Sequence, residues 1–130
     1  MKRIFLWALV AGFVILAGTA GFTFHQIYQG VAGITEQATS AFPGDAVEAL
    51  SAFILSDSQS YEDKNTAIWA LGQFADPDAI PFLEKLNAGM AEQPVPFDRS
   101  GGLSKYEIEK AIKWCKKGNL TSWMYRKIKQ

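Results

Sequence analysis

The pattern of apolar and polar positions divides this chain into two unlike parts. From Ile4 to Phe24, 21 residues carry no charged side chain, directly behind Met1, Lys2 and Arg3. A run with no polar face has no amphipathic period. Its length is the signal: a hydrocarbon core of about 30 Å needs roughly 20 apolar residues at ~1.5 Å rise each. The run predicts a single transmembrane helix. Beyond it the apolar residues become periodic. Ile27, Val31, Ile34 and Ala38 fall at spacings of four, three and four, so the helix is expected to continue outward as a stalk over 25–43. Pro43-Gly44 then breaks it.

The remaining chain, 44–130, reads as short helices. Asp45 and Glu48 stand at capping-box spacing before a stripe of Val47, Leu50, Phe53 and Ile54. Ser56 to Ser60 is a polar turn. A helix over 61–75 follows, with Ala67, Ile68, Leu71, Phe74 and Ala75 on one face. Asp76-Pro77-Asp78 makes a corner, and Ile80, Leu83 and Leu86 stripe a helix over 79–87. Pro81 is tolerable only in that helix's first turn, which predicts Asp78 as its cap. Residues 88–102 hold two prolines and three glycines and read as a loop long enough to be functional. Ser104 and Glu107 open a helix that buries Ile108, Ala111, Ile112 and Cys115 and ends at Gly118. Residues 119–130 predict one more short helix with Leu120, Trp123, Met124 and Ile128 in a stripe. No segment alternates like a strand, so the expected fold is all-α: a transmembrane helix (1–24), a stalk (25–43) and a small helical domain (44–130).

Charge gives the anchor a direction. Lys2 and Arg3 precede the run, and no Lys or Arg follows until Lys64. Basic flanks stay cytoplasmic, so the C-terminal domain is expected on the extracytoplasmic, periplasmic side. Phe5 and Trp7 suit one interface, Phe24 and Tyr28 the other. The competing reading is a cleaved signal with Gly18, Thr19 and Ala20 as its exit, but the run exceeds the ~7–15 residues of a signal core. Within the span, Ala8 and Gly12, and Ala17 and Gly21, stand four apart. That spacing allows close helix packing in lipid, although Gly and Ala are common in such helices anyway.

Formal net charge is zero but unevenly spread. Residues 25–98 hold eleven acids against Lys64 and Lys85, net −9. Residues 99–130 hold nine bases against Glu107 and Glu109, net +7. In the basic tail, Trp114, Trp123, Met124 and Tyr125 stand beside Arg126, Lys127 and Lys129. That mixture suits a lipid surface or an acidic partner, and equally a short helix packed on the domain end. The extracytoplasmic address argues against nucleic acid. Lone Cys115 excludes an intramolecular disulfide and reads as a small core residue. His25 is the single histidine, so zinc of the usual kind is not expected. A haem or chlorophyll ligand is the sharper reading of His25, an interfacial polar residue the plainer one. Nucleophile elbows, phosphate loops and nucleotide fingerprints are missing, and no cofactor or small-molecule substrate is implied. Asn119-Leu120-Thr121 fits the short glycosylation sequon.

The stretch Glu62 to Leu86 resembles a short HEAT-like repeat of the phycobilisome-lyase type. Ala70-Leu71-Gly72 ends a first helix, Asp76-Pro77 makes the corner, and Ala79-Ile80-Pro81-Phe82-Leu83 opens a second. Asp63-Lys64 stands where the family often has Val-Arg, and no second copy recurs at a fixed period. Such repeats usually need about three copies to bury a continuous core. Either the flanking helices act as divergent half-repeats, or a partner covers the open face. The resemblance implies a binding scaffold and not a catalyst. The expected function is a non-enzymatic, membrane-anchored accessory or assembly subunit of a larger membrane complex. The alternatives are an exported or anchored module binding a ligand through its helical domain, and a cofactor-bearing subunit using His25.

Overall fold

A computed structural model describes residues 2–90 and 101–129. Those residues form helices α1 (Lys2–Ala41), α2 (Ala46–Leu55), α3 (Tyr61–Phe74), α4 (Ile80–Ala88) and α5 (Lys105–Lys117). Two 3-10 turns, Pro77–Ala79 and Ser122–Tyr125, complete them, and there is no strand among the described residues. The loop expected over 88–102 lies mostly outside them, and α4 itself extends to Ala88.

α1 is one unbroken helix of 40 residues. Its two halves have different surroundings. Every residue from Arg3 to Gln26 is exposed. From Ile27 onward the helix becomes a wall of the core: Val31, Ile34, Thr35 and Ala38 are buried, and Ile27, Tyr28 and Phe42 pack at its margin. The stretch read as a stalk is thus packed into the domain. The periodic apolar positions are the ones that α2 and α3 cover.

The turns follow their local chemistry, with two departures. Asp45 and Glu48 form the expected box: the Asp45 carboxylate accepts from the Glu48 N–H at 2.9 Å, and Glu48 accepts from the Asp45 N–H at 3.2 Å. Before α4 the cap is Asp76 and not Asp78. Asp76 accepts from the Asp78 N–H at 3.1 Å, and Pro77 takes the first position of a 3-10 turn, where a missing N–H costs nothing. The extra turn moves the cap two residues back, and Pro81 still lies in the first turn of α4. At α5 only half of the box forms. Ser104 Oγ accepts from the Glu107 N–H at 3.3 Å, but the Ser104 N–H goes to Asn65 Oδ1 at 2.8 Å, and the Glu107 carboxylate binds Lys110. A side chain on α3 replaces the return leg and ties α5 to it.

α3 is the centre of the domain. Ala67, Ile68, Ala70, Leu71 and Phe74 are fully buried, with α1 and α2 on one side and α5 on the other. α5 runs beside α3 in the same direction: Asn65 meets Ser104, Gly72 meets Ala111, and Gln73 meets Asn119. Gly72 sets the contact distance, since a Cβ there would lie 2.9 Å from Ala111 Cα and 3.0 Å from Trp114 Cε3. α4 is covered least. Leu83 is its single fully buried side chain, while Ile80, Phe82 and Leu86 remain half-buried.

The C-terminal segment is expected as a short α-helix and is instead a 3-10 turn clasped to the end of α3. Buried Gln73 accepts from Thr121 Oγ1 at 2.6 Å and from Asn119 Nδ2 at 3.1 Å. These internal bonds use both polar side chains of the sequon. Lys129 pairs with Asp76 at 2.9 Å. Burial alone would raise the Asp76 pKa, but hydrogen bonds from Lys129 and the Asp78 N–H, with the Lys129 charge, bring it below its ordinary value of 3.8.

Two predictions test this packing. Gly72→Ala places a methyl against backbone and should cost about 1–3 kcal/mol, whereas Gly33→Ala, with open space around its Cβ, should stabilise α1 by about 0.5–1 kcal/mol. Circular-dichroism melts in detergent should therefore shift in opposite directions, and equal shifts would contradict the α3–α5 contact. For the clasp, a lowered carboxylate pKa stabilises the fold fully above pH 3.8 and loses that effect as pH falls through the lowered value. Hydrogen exchange of amides 119–129 should rise in that acid range in the native protein. Lys129→Ala should bring the same loosening at neutral pH; exchange independent of both would exclude the clasp.

Candidate functional site

Three surfaces are available for binding. The first is α1 itself. The run from Ile4 to Phe24 contains two hydroxyls, Thr19 and Thr23, and both donate back to carbonyls four residues earlier, Ile15 O at 2.8 Å and Thr19 O at 2.9 Å. This leaves no threonine hydroxyl unpaired along the run, which suits a medium with no water to satisfy it. The helix is long and apolar enough to cross a membrane. Gly12 and Gly21 have nothing within 4 Å of a Cβ position. At about 100° per residue, Ala8 with Gly12 and Ala17 with Gly21 lie on roughly opposite sides of the helix, so one neighbouring helix cannot use both pairs.

The second surface is an apolar groove of about 350 Å³ lined by Leu55, Phe82, Lys85, Leu86, Met90 and Leu103. It lies where α2, α4 and the start of α5 come together, beside the exposed face of α4. Leu55 at its rim is 65 % exposed. Between α3 and α5 there is also a shallow polar cleft of about 410 Å³ bounded by Glu62, Asn65, Thr66, Trp69, Glu107 and Lys110.

The third surface is the basic, aromatic tail, whose residues separate. Tyr125 is fully buried and leaves the exposed group: it stacks on Tyr28 of α1 (centroids 6.0 Å, planes 5° apart) and tilts against Phe74 at 5.8 Å. Burial raises its hydroxyl pKa. Trp114 sits half-buried on the α3–α5 seam, its ring 5.2 Å from Lys110 Nζ, apart from the tail. Met124 is half-buried against the core, and Lys129 is held by Asp76. Trp123, Arg126 and Lys127 remain exposed, joined by Leu120.

Several further residues have clear places. Cys115 is 4 % exposed; its Sγ lies 3.6 Å from Leu71 O, and burial pushes its thiol up to about 11. It is a core side chain, with no thiolate at neutral pH. His25 is exposed one position past the apolar run. Among the described residues no cluster of three His, Cys, Asp or Glu side chains could hold a metal ion. Sequence reasoning missed Asn65 and Gln73, the two polar side chains that fix α5 and the tail on α3. Their signal is a polar residue beside an apolar stripe in a helix that is otherwise buried.

Residues 64–86 match the family model described as the PBS lyase HEAT-like repeat. No curated protein and no solved structure matches the chain. The matched span runs from Lys64 through the Asp76-Pro77 corner to Leu86, which is most of α3, the 3-10 turn and most of α4. An all-helical protein with one long apolar N-terminal helix therefore carries a HEAT-like repeat at its centre, with α1 and α2 on one side of α3 and α5 on the other.

Proposed function

We propose that this protein is a non-catalytic interaction subunit anchored in a membrane by α1, with its helical domain on the extracytoplasmic side. The observation that carries the reading is the division of α1. Its residues from Ile4 to Phe24 are exposed and apolar where a soluble helix would be polar or buried, and the same helix then continues into the core. An exposed apolar surface of that size needs a cover, and lipid or neighbouring transmembrane helices supply one. The HEAT-like repeat supports protein recognition as the task of the domain. Lys2 and Arg3 before the run support a cytoplasmic N-terminus. The role that fits best is an accessory or assembly subunit of a larger membrane complex. Ala8 with Gly12, or Ala17 with Gly21, would provide lateral contact in the bilayer.

One observation favours a second reading, an exported module freed by cleavage. Cutting after Ala20 would remove no core residue, because burial begins at Ile27. The two readings separate on the mature protein. Native purification in mild detergent should recover a chain that retains residues 1–20, together with a stoichiometric membrane-protein partner. Gly12→Leu or Gly21→Leu should weaken that association without unfolding the domain. A mature N-terminus beyond Ala20, or a detergent-solubilised monomer with no partner, would contradict the anchored-subunit reading.

A further inference from the structure

The Tyr28–Tyr125 stack fixes the height of the C-terminal turn. Phe24 ends the apolar run, and Tyr28 lies four residues on, about 6 Å along the helix axis. The headgroup layer on each side of a bilayer is about 5–8 Å thick, the difference between about 40–45 Å overall and about 30 Å of hydrocarbon. With α1 in a membrane, Tyr28 falls within that layer, and so does the ring stacked on it. The rest of the domain agrees. Trp69 packs on Gly30, with its ring 3.3 Å from a Cβ position there, and Phe74 reaches Tyr28 through Tyr125. The C-terminal end of α3 therefore lies near the level of Tyr28. α5 runs the same way as α3, so its C-terminal end and the tail lie at the same membrane-facing end.

At that end Leu120 and Trp123 are 82 % and 66 % exposed. Lys117, Arg126 and Lys127 are exposed with no ion-pair partner among the described residues, whereas Lys116 is paired with Glu84 and Lys129 with Asp76. Large amphipathic aromatics and unpaired cations at headgroup depth are the groups that anionic lipid interfaces take up.

We infer that the segment 117–127 is a second membrane contact, an interfacial surface in which Trp123 and Leu120 enter the headgroup layer and Lys117, Arg126 and Lys127 bind anionic lipid headgroups. It rests on α1 being the anchor. The contact holds the domain base on the bilayer, so that the groove at Leu55, Phe82 and Met90 faces away from the membrane. An acidic protein would suit the same charges. It would not explain why the aromatic surface is held at the level where α1 leaves the hydrocarbon.

The test uses the full chain with buried Cys115 replaced by alanine and one nitrobenzoxadiazole-labelled cysteine at a time, reconstituted in vesicles. Leu16→Cys reports the anchor, Leu120→Cys the proposed contact, and Asp57→Cys the far end. Circular dichroism checks that each variant is folded. With phosphatidylcholine containing phosphatidylglycerol, nitroxide-bearing lipids should quench the labels at 16 and 120 but not at 57. Arg126→Ala with Lys127→Ala should weaken docking of the 120 label, by about fivefold for each charge removed. A quenched label at 16 with a water-exposed label at 120 in these vesicles overturns the second contact and leaves its surface to a protein partner. A water-exposed label at 16 overturns the anchor on which it rests.

Discussion

The continuity of α1 across two environments governs the rest of this structure. One helix presents an apolar surface on all sides from Ile4 to Phe24 and, within one turn, becomes a wall of the domain core. No proline interrupts it, and its hydroxyls bond back to its own backbone in both halves: Thr19 and Thr23 in the exposed part, Thr35 and Thr39 in the packed part. Because the helix is unbroken between its two halves, whatever fixes the exposed half also fixes where the domain sits. A flexible linker at residues 25–43 would have left both undetermined.

The second consequence concerns the repeat. A single HEAT-like hairpin has two open sides. Here α1 and α2 close one and α5 closes the other, around a fully buried α3. The closing helices are joined by specific contacts and not by a second copy of the repeat. Gly72 lets α5 approach, Asn65 takes the N–H of the α5 cap, and Gln73 gathers Asn119 and Thr121. α4, the second helix of the matched repeat, keeps a half-exposed face beside the groove. A HEAT-like scaffold would use such a face for recognition.

Much of this fold was legible because its signals are local. The apolar run, the stripe Val31, Ile34 and Ala38, the box at Asp45 and the Ala-Leu-Gly and Asp-Pro pieces of the repeat each follow from a short stretch of chain. Long-range substitutions were not legible. Asp76 displaced Asp78 as a cap once a 3-10 turn formed, and Asn65 took over a bond that Glu107 would otherwise supply. The tail illustrates the limit best. Its expected stripe of Leu120, Trp123, Met124 and Ile128 left out the fully buried residue, Tyr125, which the rings of Phe74 and of Tyr28, almost a hundred residues earlier, hold in the core while Trp123 stays out. Binding surfaces were harder still, since nothing local separates Lys129, which Asp76 holds, from Arg126 and Lys127, which stay exposed.

With α1 as the anchor, the helix changes environment between Phe24 and Ile27 while remaining one helix. Single spin labels placed at each position from 14 to 40, in the full chain in vesicles, would measure accessibility to oxygen and to a water-soluble nickel chelate. Oxygen access without chelate access is expected on every side up to Phe24. Beyond Ile27 a helical period is expected, with minima at positions 31, 34 and 38. Chelate access within the apolar run, or a loss of helical phase between 24 and 28, would contradict it.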